Sequence, residues 1–99
     1  MNVLIGDIGN TITKLCLVAI KTHKVKKMIY FKSNSIISKK FLIKNLKRII
    51  KDKNTNKIAL FSSVVPRYQL ILNKFLKKFY KIKLKEIKEK NIEKIVKIN

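Results

Sequence analysis

Ninety-nine residues make at most one domain, because a chain of this length buries roughly two-thirds of its unfolded surface, enough for one modest core and too little for a two-domain enzyme. An apolar content of 46% excludes disorder throughout. The 25 basic against 5 acidic residues, a formal charge of +20, raise the question of a nucleic-acid or anionic-membrane partner.

Composition supplies a duller cause for that charge. Lys, Ile and Asn, all readily encoded by A/T-rich codons, fill 49 of the 99 positions, and only Arg48 and Arg67 are arginines. A dedicated nucleic-acid binder draws on Arg for bidentate contacts and gathers its basic residues on one face, whereas here Lys is spread along every segment. Compositional drift is therefore favoured, with weak, salt-sensitive and non-specific polyanion binding expected either way. Cys16 is the only cysteine, which excludes a disulfide framework or a multi-thiolate metal site within these residues and fits a reducing compartment. In the apolar run 15–20 it reads as a small buried strand residue. His23, in the polar turn Lys21-Thr22-His23-Lys24, reads as solvated. No apolar run approaches the roughly 18 residues of a membrane span, and the N-terminus lacks a basic leader, so a cytoplasmic protein is expected.

In chain order, residues 2–8 read as a first strand, 11–20 as a second and 24–32 as a third, joined by connections short enough to require antiparallel neighbours. The stretch Val3-Leu4-Ile5-Gly6-Asp7-Ile8-Gly9-Asn10-Thr11-Ile12-Thr13-Lys14 stands out, because an acid, a glycine turn, hydroxyls and a lysine converge within one hairpin. If the backbone N–H groups of Gly9, Asn10 and Thr11 converge, they form a concave anion site of the kind that cradles a nucleotide phosphate. Asp7 would sit opposite, able to hold Mg²⁺ or its water shell. The strand period places Asn10, Ile12 and Lys14 on one face and Thr11, Thr13 and Leu15 on the other, so Lys14 can point back towards the loop. The same pattern is also that of a common hairpin with no ligand at all.

Ser33-Asn34-Ser35 breaks the strand pattern, and Ser38 is a good N-cap for a helix over 39–52 with Leu42, Leu46, Ile49 and Ile50 on one stripe. After the polar loop 52–56, the run 58–61 is typical of a strand buried on both faces. It ends at Ser62-Ser63-Val64-Val65-Pro66. Pro66 suits the first turn of a helix carrying Tyr68, Ile71, Leu72, Phe75 and Phe79 at helical spacing. Residues 81–87 alternate as a further strand, 86–91 are ambiguous, and 92–98 read as either helix or a last short strand. This order predicts an α/β layer with a mixed sheet. Ser62-Ser63-Val64-Val65-Pro66 lies where a buried strand gives way to a helix N-terminus, the usual ligand position in open α/β sheets, although a capped turn alone would use the same residues.

Taken together, Asp7-Ile8-Gly9-Asn10-Thr11-Ile12-Thr13-Lys14 and Ser62-Ser63-Val64-Val65-Pro66 resemble the N-terminal domain of type III pantothenate kinase. That family belongs to the actin-like phosphotransferases, built from two ribonuclease-H-like domains. The resemblance implies a mixed five-stranded domain over 1–99, with three antiparallel strands and then alternating helices and parallel strands. It implies ATP-dependent phosphorylation of pantothenate, the first step towards coenzyme A, with Mg²⁺ and a monovalent cation, K⁺ or NH₄⁺. Asp7 would hold Mg²⁺. Gly9, Asn10, Thr11 and Thr13 would line the phosphate loop, and Lys14 would neutralise phosphate charge.

One departure limits what the resemblance implies. The family's Gly-X-Asp-Arg motif, whose Asp serves as general base and whose Arg helps bind the substrate carboxylate, does not occur in this sequence, and Asp52, the only other Asp, lies in a charged loop. No catalytic residue is therefore assigned, and the base is expected beyond residue 99 in an absent second domain. The expectation is a truncated or split kinase half, inactive alone, with a homodimer in the full-length family and a complementary C-terminal fragment as a further partner. Apolar surface left by the missing half should promote self-association. The alternatives are a small basic nucleic-acid-binding module and a degenerate remnant that binds nothing.

Overall fold

The computed structural model describes residues 1–50 and 54–87. Five strands form one sheet in the order β3-β2-β1-β4-β5. Strand β1 (Asn2–Ile8) is central, and both of its alternating sets, Val3 with Ile5 and Leu4 with Ile8, are buried. It pairs antiparallel with β2 (Ile12–Ala19), which pairs antiparallel with β3 (Val25–Lys32). On its other side β1 runs parallel to β4 (Ile58–Ser63), and β4 runs parallel to β5 (Lys83–Glu86). The fold is therefore the mixed α/β arrangement of actin-like and ribonuclease-H-like ATPases, a meander of three strands followed by alternating helices and parallel strands.

A short 3₁₀ turn at Ser33–Ile37 leads into helix α1 (Lys39–Ile49). Ser38 caps α1, its hydroxyl accepting the Phe41 N–H at 3.2 Å. At the other end the Lys27 ammonium donates to the Arg48 carbonyl at 2.9 Å, placing a cation on the negative end of the helix. Leu42, Leu46 and Ile49 face the sheet as their spacing requires. The helix stops at Ile49, short of the expected residue 52, and Asp52 itself lies outside the described residues.

Helix α2 (Pro66–Tyr80) starts on Pro66, whose missing N–H costs nothing in a first turn, and ends at Lys81 in the left-handed region at φ 56°. Leu72, Phe75 and Leu76 form its buried stripe. Phe79, expected in that stripe, is half exposed and packs its ring on Phe75 with centroids 4.6 Å apart, because Leu76 already fills the place one turn beyond Leu72.

Both helices pack on the sheet face that carries Leu4, Ile8, Leu15, Leu17, Ala59, Phe61 and Leu84. A smaller cluster of Val3, Ile5, Cys16 and Val18, flanked by Met28 and Leu60, occupies the opposite face. This one-sided placement corrects the expectation for residues 58–61. Ala59 and Phe61 are enclosed under the helices, but Leu60 is only half buried and Ile58 is exposed. Gly6 pairs with Phe61 across β1 and β4, and the Phe61 ring lies where a side chain on residue 6 would stand: a Cβ there would be 2.1 Å from Cε2. Among the described residues no helix is long and apolar enough to cross a membrane. The expectations for 92–98, and for 86–91 from residue 88 onward, fall outside the described residues.

Candidate functional site

Gly9, Asn10 and Thr11 connect β1 to β2. The Gly9 N–H donates to the Ile12 carbonyl at 3.0 Å, and a Cβ on Gly9 would stand 2.8 Å from that same oxygen. Close approach of backbone to backbone is thus the reason for glycine here, since Gly9 does not adopt positive φ. Of the three N–H groups whose convergence would make an anion site, two can therefore take part. The Gly9 N–H is engaged, and the N–H groups of Asn10 and Thr11 are the two in the loop that have no protein acceptor among the described residues. Both residues are exposed.

Sheet register assembles the rest of the site. Asp7 lies opposite Lys14 on β2 and opposite Ser62 on β4, and Lys14 lies opposite Tyr30 on β3. Directly paired residues project to the same side of a sheet, so Tyr30, Lys14, Asp7 and Ser62 form one row across four strands. The row lies on the face away from α1 and α2, since Leu4, Ile8, Leu15 and Phe61 take the helical side. Asp7 is exposed, Lys14 and Ser62 are half buried, and the Lys14 ammonium stands 5.7 Å from the Tyr30 ring centroid, a cation–π contact. The result is a carboxylate, an ammonium and a hydroxyl at the C-terminal ends of two parallel strands, next to a loop with open N–H donors.

Thr13 is placed differently from the other residues of the motif. It projects to the helical side, is fully enclosed, and puts its hydroxyl 2.7 Å from that of Ser33. It supports the loop from beneath and does not present its hydroxyl to a ligand. Ser33, read from sequence only as a break in the strand pattern, also donates to the Gly9 carbonyl. The available signal was a serine directly after a strand, at the position pairing with the loop.

In the segment Ser62-Ser63-Val64-Val65-Pro66, the Ser63 hydroxyl accepts the Val65 N–H at 3.1 Å and donates to the Val65 carbonyl at 3.0 Å, so it serves its own turn. Val64 donates to the Ile8 carbonyl at 3.0 Å, tying the start of α2 to the end of β1. Ser62 alone of this segment joins the row. Cys16 is buried on the same face, and burial pushes its thiol above the ordinary 9.0, partly offset by Lys14. His23 lies in the exposed turn between β2 and β3 and takes no part.

Two further features bear on chemistry. Among the described residues no group of three or more His, Cys, Asp and Glu could hold a metal ion. A groove of about 500 Å³ between α1 and α2, lined by Ile43, Lys47, Ile50, Phe75, Phe79 and Tyr80, belongs to the helical layer and not to the Asp7 row. Exposed lysines occur on both layers, Lys26 on β3, Lys44 on α1, Lys74 on α2 and Lys85 on β5, so among the described residues they are not gathered on one element.

The sequence model of type III pantothenate kinase matches residues 3–99, a span that takes in both the β1–β2 hairpin and the turn into α2. The chain belongs to the type III pantothenate kinase family. The type III pantothenate kinase of Pelagibacter ubique (strain HTCC1062) is 42% identical over 99 residues, covering 97% of this chain and 38% of that protein. The chain thus spans well under half the length of the relative it matches. Among solved structures, a Listeria monocytogenes protein provisionally described as an N-acetylmannosamine kinase superposes with a TM-score of 0.52 at 15% identity, over 87% of this chain and 34% of that one. At that identity the likeness concerns the fold alone.

Proposed function

We propose that residues 1–99 form the nucleotide-phosphate-binding domain of an ATP-dependent pantothenate kinase, which acts at the first step of coenzyme A biosynthesis. The observation that carries this reading is the Asp7–Lys14–Ser62 row beside the open N–H groups of Asn10 and Thr11, at the C-terminal ends of the parallel strands β1 and β4. Phosphoryl transfer asks a protein chiefly for positioning and for stabilisation of charge. Loop N–H donors, the Asn10 amide and the Thr11 hydroxyl suit phosphate oxygens, and the Lys14 ammonium offsets their charge.

Asp7 would hold Mg²⁺. A single exposed carboxylate without a metal cage around it fits that ion, which takes one or two carboxylates and completes its shell with phosphate oxygens and water. Bound there, the ion would neutralise charge on the phosphates. A monovalent cation, K⁺ or NH₄⁺, belongs to the proposal through the family alone. With no Gly-X-Asp-Arg segment in the sequence, no residue here is offered as general base. That group and the pantothenate contacts would come from a second domain, in a cytoplasmic and dimeric enzyme. Residues 1–99 alone would bind nucleotide without phosphorylating pantothenate.

Titration calorimetry of the purified chain with MgATP tests this. Binding should be measurable and should weaken about tenfold or more in Asp7→Ala, the loss of one charge-assisted contact set. No phosphopantothenate should form. Binding indifferent to Asp7→Ala would overturn the reading, as would product formation by the chain alone. Tight nucleic-acid binding at physiological salt that survives Asp7→Ala would replace it with the basic-module alternative.

A further inference from the structure

Thr13 and Ser33 are fully enclosed directly beneath the β1–β2 loop. Burying two hydroxyls is unfavourable unless each finds a partner, and here they form a relay with a fixed direction. The Ser33 Oγ lies 2.6 Å from the Gly9 carbonyl oxygen, and the Thr13 Oγ1 lies 2.7 Å from the Ser33 Oγ. A carbonyl only accepts and a serine hydroxyl has one proton, so Ser33 donates to Gly9 and Thr13 donates to Ser33. The Ser33 backbone N–H in turn donates to the Thr11 carbonyl at 2.8 Å. One residue therefore holds both ends of the loop by their carbonyls, from the core side.

This arrangement has a consequence for the outer side of the loop. The Gly9 carbonyl and the Asn10 N–H belong to the same peptide unit, and in a trans peptide the two point in opposite directions. Drawing the carbonyl inward to Ser33 directs the Asn10 N–H away from the core. We infer that Ser33 is the positioning residue of the phosphate loop: it sets the plane of the Gly9–Asn10 peptide so that the Asn10 N–H, and not the Gly9 carbonyl, is presented to a bound anion. The inference rests on the phosphate-loop reading above. Without the Ser33 hydroxyl the peptide is free to turn over and offer phosphate an oxygen, which repels it.

The experiment compares Ser33→Ala and Thr13→Val in the full chain, reading MgATP affinity, melting temperature and the ¹⁵N–¹H shift of Asn10 without ligand. Thr13→Val keeps the bond from Ser33 to Gly9, so the two variants should lose comparable stability yet differ in binding. Ser33→Ala should weaken MgATP about tenfold or more and move the Asn10 amide resonance, whereas Thr13→Val should stay within about threefold of wild type. Ile49→Val, a remote core change, should lower the melting temperature and leave affinity alone. If Ser33→Ala does not fold, Ser33→Cys, which keeps the shape and has only a weak donor, carries the same comparison. Wild type that binds MgATP alongside a Ser33 variant that binds equally well overturns this inference alone. Wild type that fails to bind overturns the phosphate-loop reading, and this inference with it.

Discussion

Replacing Gly6 by alanine adds one methyl group where the structure has no room for it. The new Cβ would stand 2.1, 2.5 and 2.6 Å from Cε2, Cδ2 and Cζ of Phe61. Carbon atoms are comfortable at about 3.5 Å or more, so the nearest ring atom must retreat by at least about 1.4 Å. The ring cannot simply swing into solvent, because Phe61 is fully buried among the side chains that join the sheet to both helices. Overpacking of this kind costs about 1–3 kcal/mol, and the lower chain entropy of alanine returns about 0.5–1 kcal/mol of it. A net loss of about 0.5–2 kcal/mol lowers the melting temperature of a domain this size by roughly 2–15 °C. Thermal and urea unfolding followed by circular dichroism measure both quantities. A cycle with Phe61→Leu sharpens the test: Gly6→Ala should cost at least about 1 kcal/mol less once the ring is gone. A Gly6→Ala chain as stable as wild type, or the same loss in both backgrounds, would refute the steric account.

Two other outcomes follow from the described packing. Cys16 should react with a thiol reagent only on unfolding at neutral pH, and because burial raises its folded pKa, the stability this contributes is full below the ordinary 9.0 and is lost as pH rises beyond it; comparing wild type with Cys16→Val across that range separates the thiol from the lysines. Ser38→Ala, which leaves the Phe41 N–H without its cap, should cost about 1 kcal/mol in urea titrations and leave MgATP affinity unchanged, since Ser38 begins α1 in the other layer.

The linear order of residues determined the elements and the hairpin on which the candidate site is built. Short, nearly continuous apolar runs around Val3, Leu15 and Ile29, bounded by polar turns, specify strands, the Leu42–Leu46–Ile49 stripe after Ser38 specifies a helix, and Pro66 marks the start of the next. These are local signals, set by backbone periodicity and capping chemistry within a few residues. The placement of Asp7, Asn10, Thr11 and Lys14 together is local for the same reason, since they share one hairpin whose pairing follows from its length. Only the tertiary structure decided which groups meet across the sheet and which are already engaged. Ser62 joins Asp7 because β4 inserts parallel to β1, a pairing some fifty residues apart in sequence that no local pattern encodes. Thr13 turns to the core and Ser33 comes up beneath the loop because β3 lies beside β2, which engages two hydroxyls in supporting Gly9. Gly6 is required by Phe61, Gly9 by the carbonyl of Ile12, and the exposure of Ile58 by the side on which the helices pack. Each is a matter of what else occupies the space, and occupancy is a property of the folded chain.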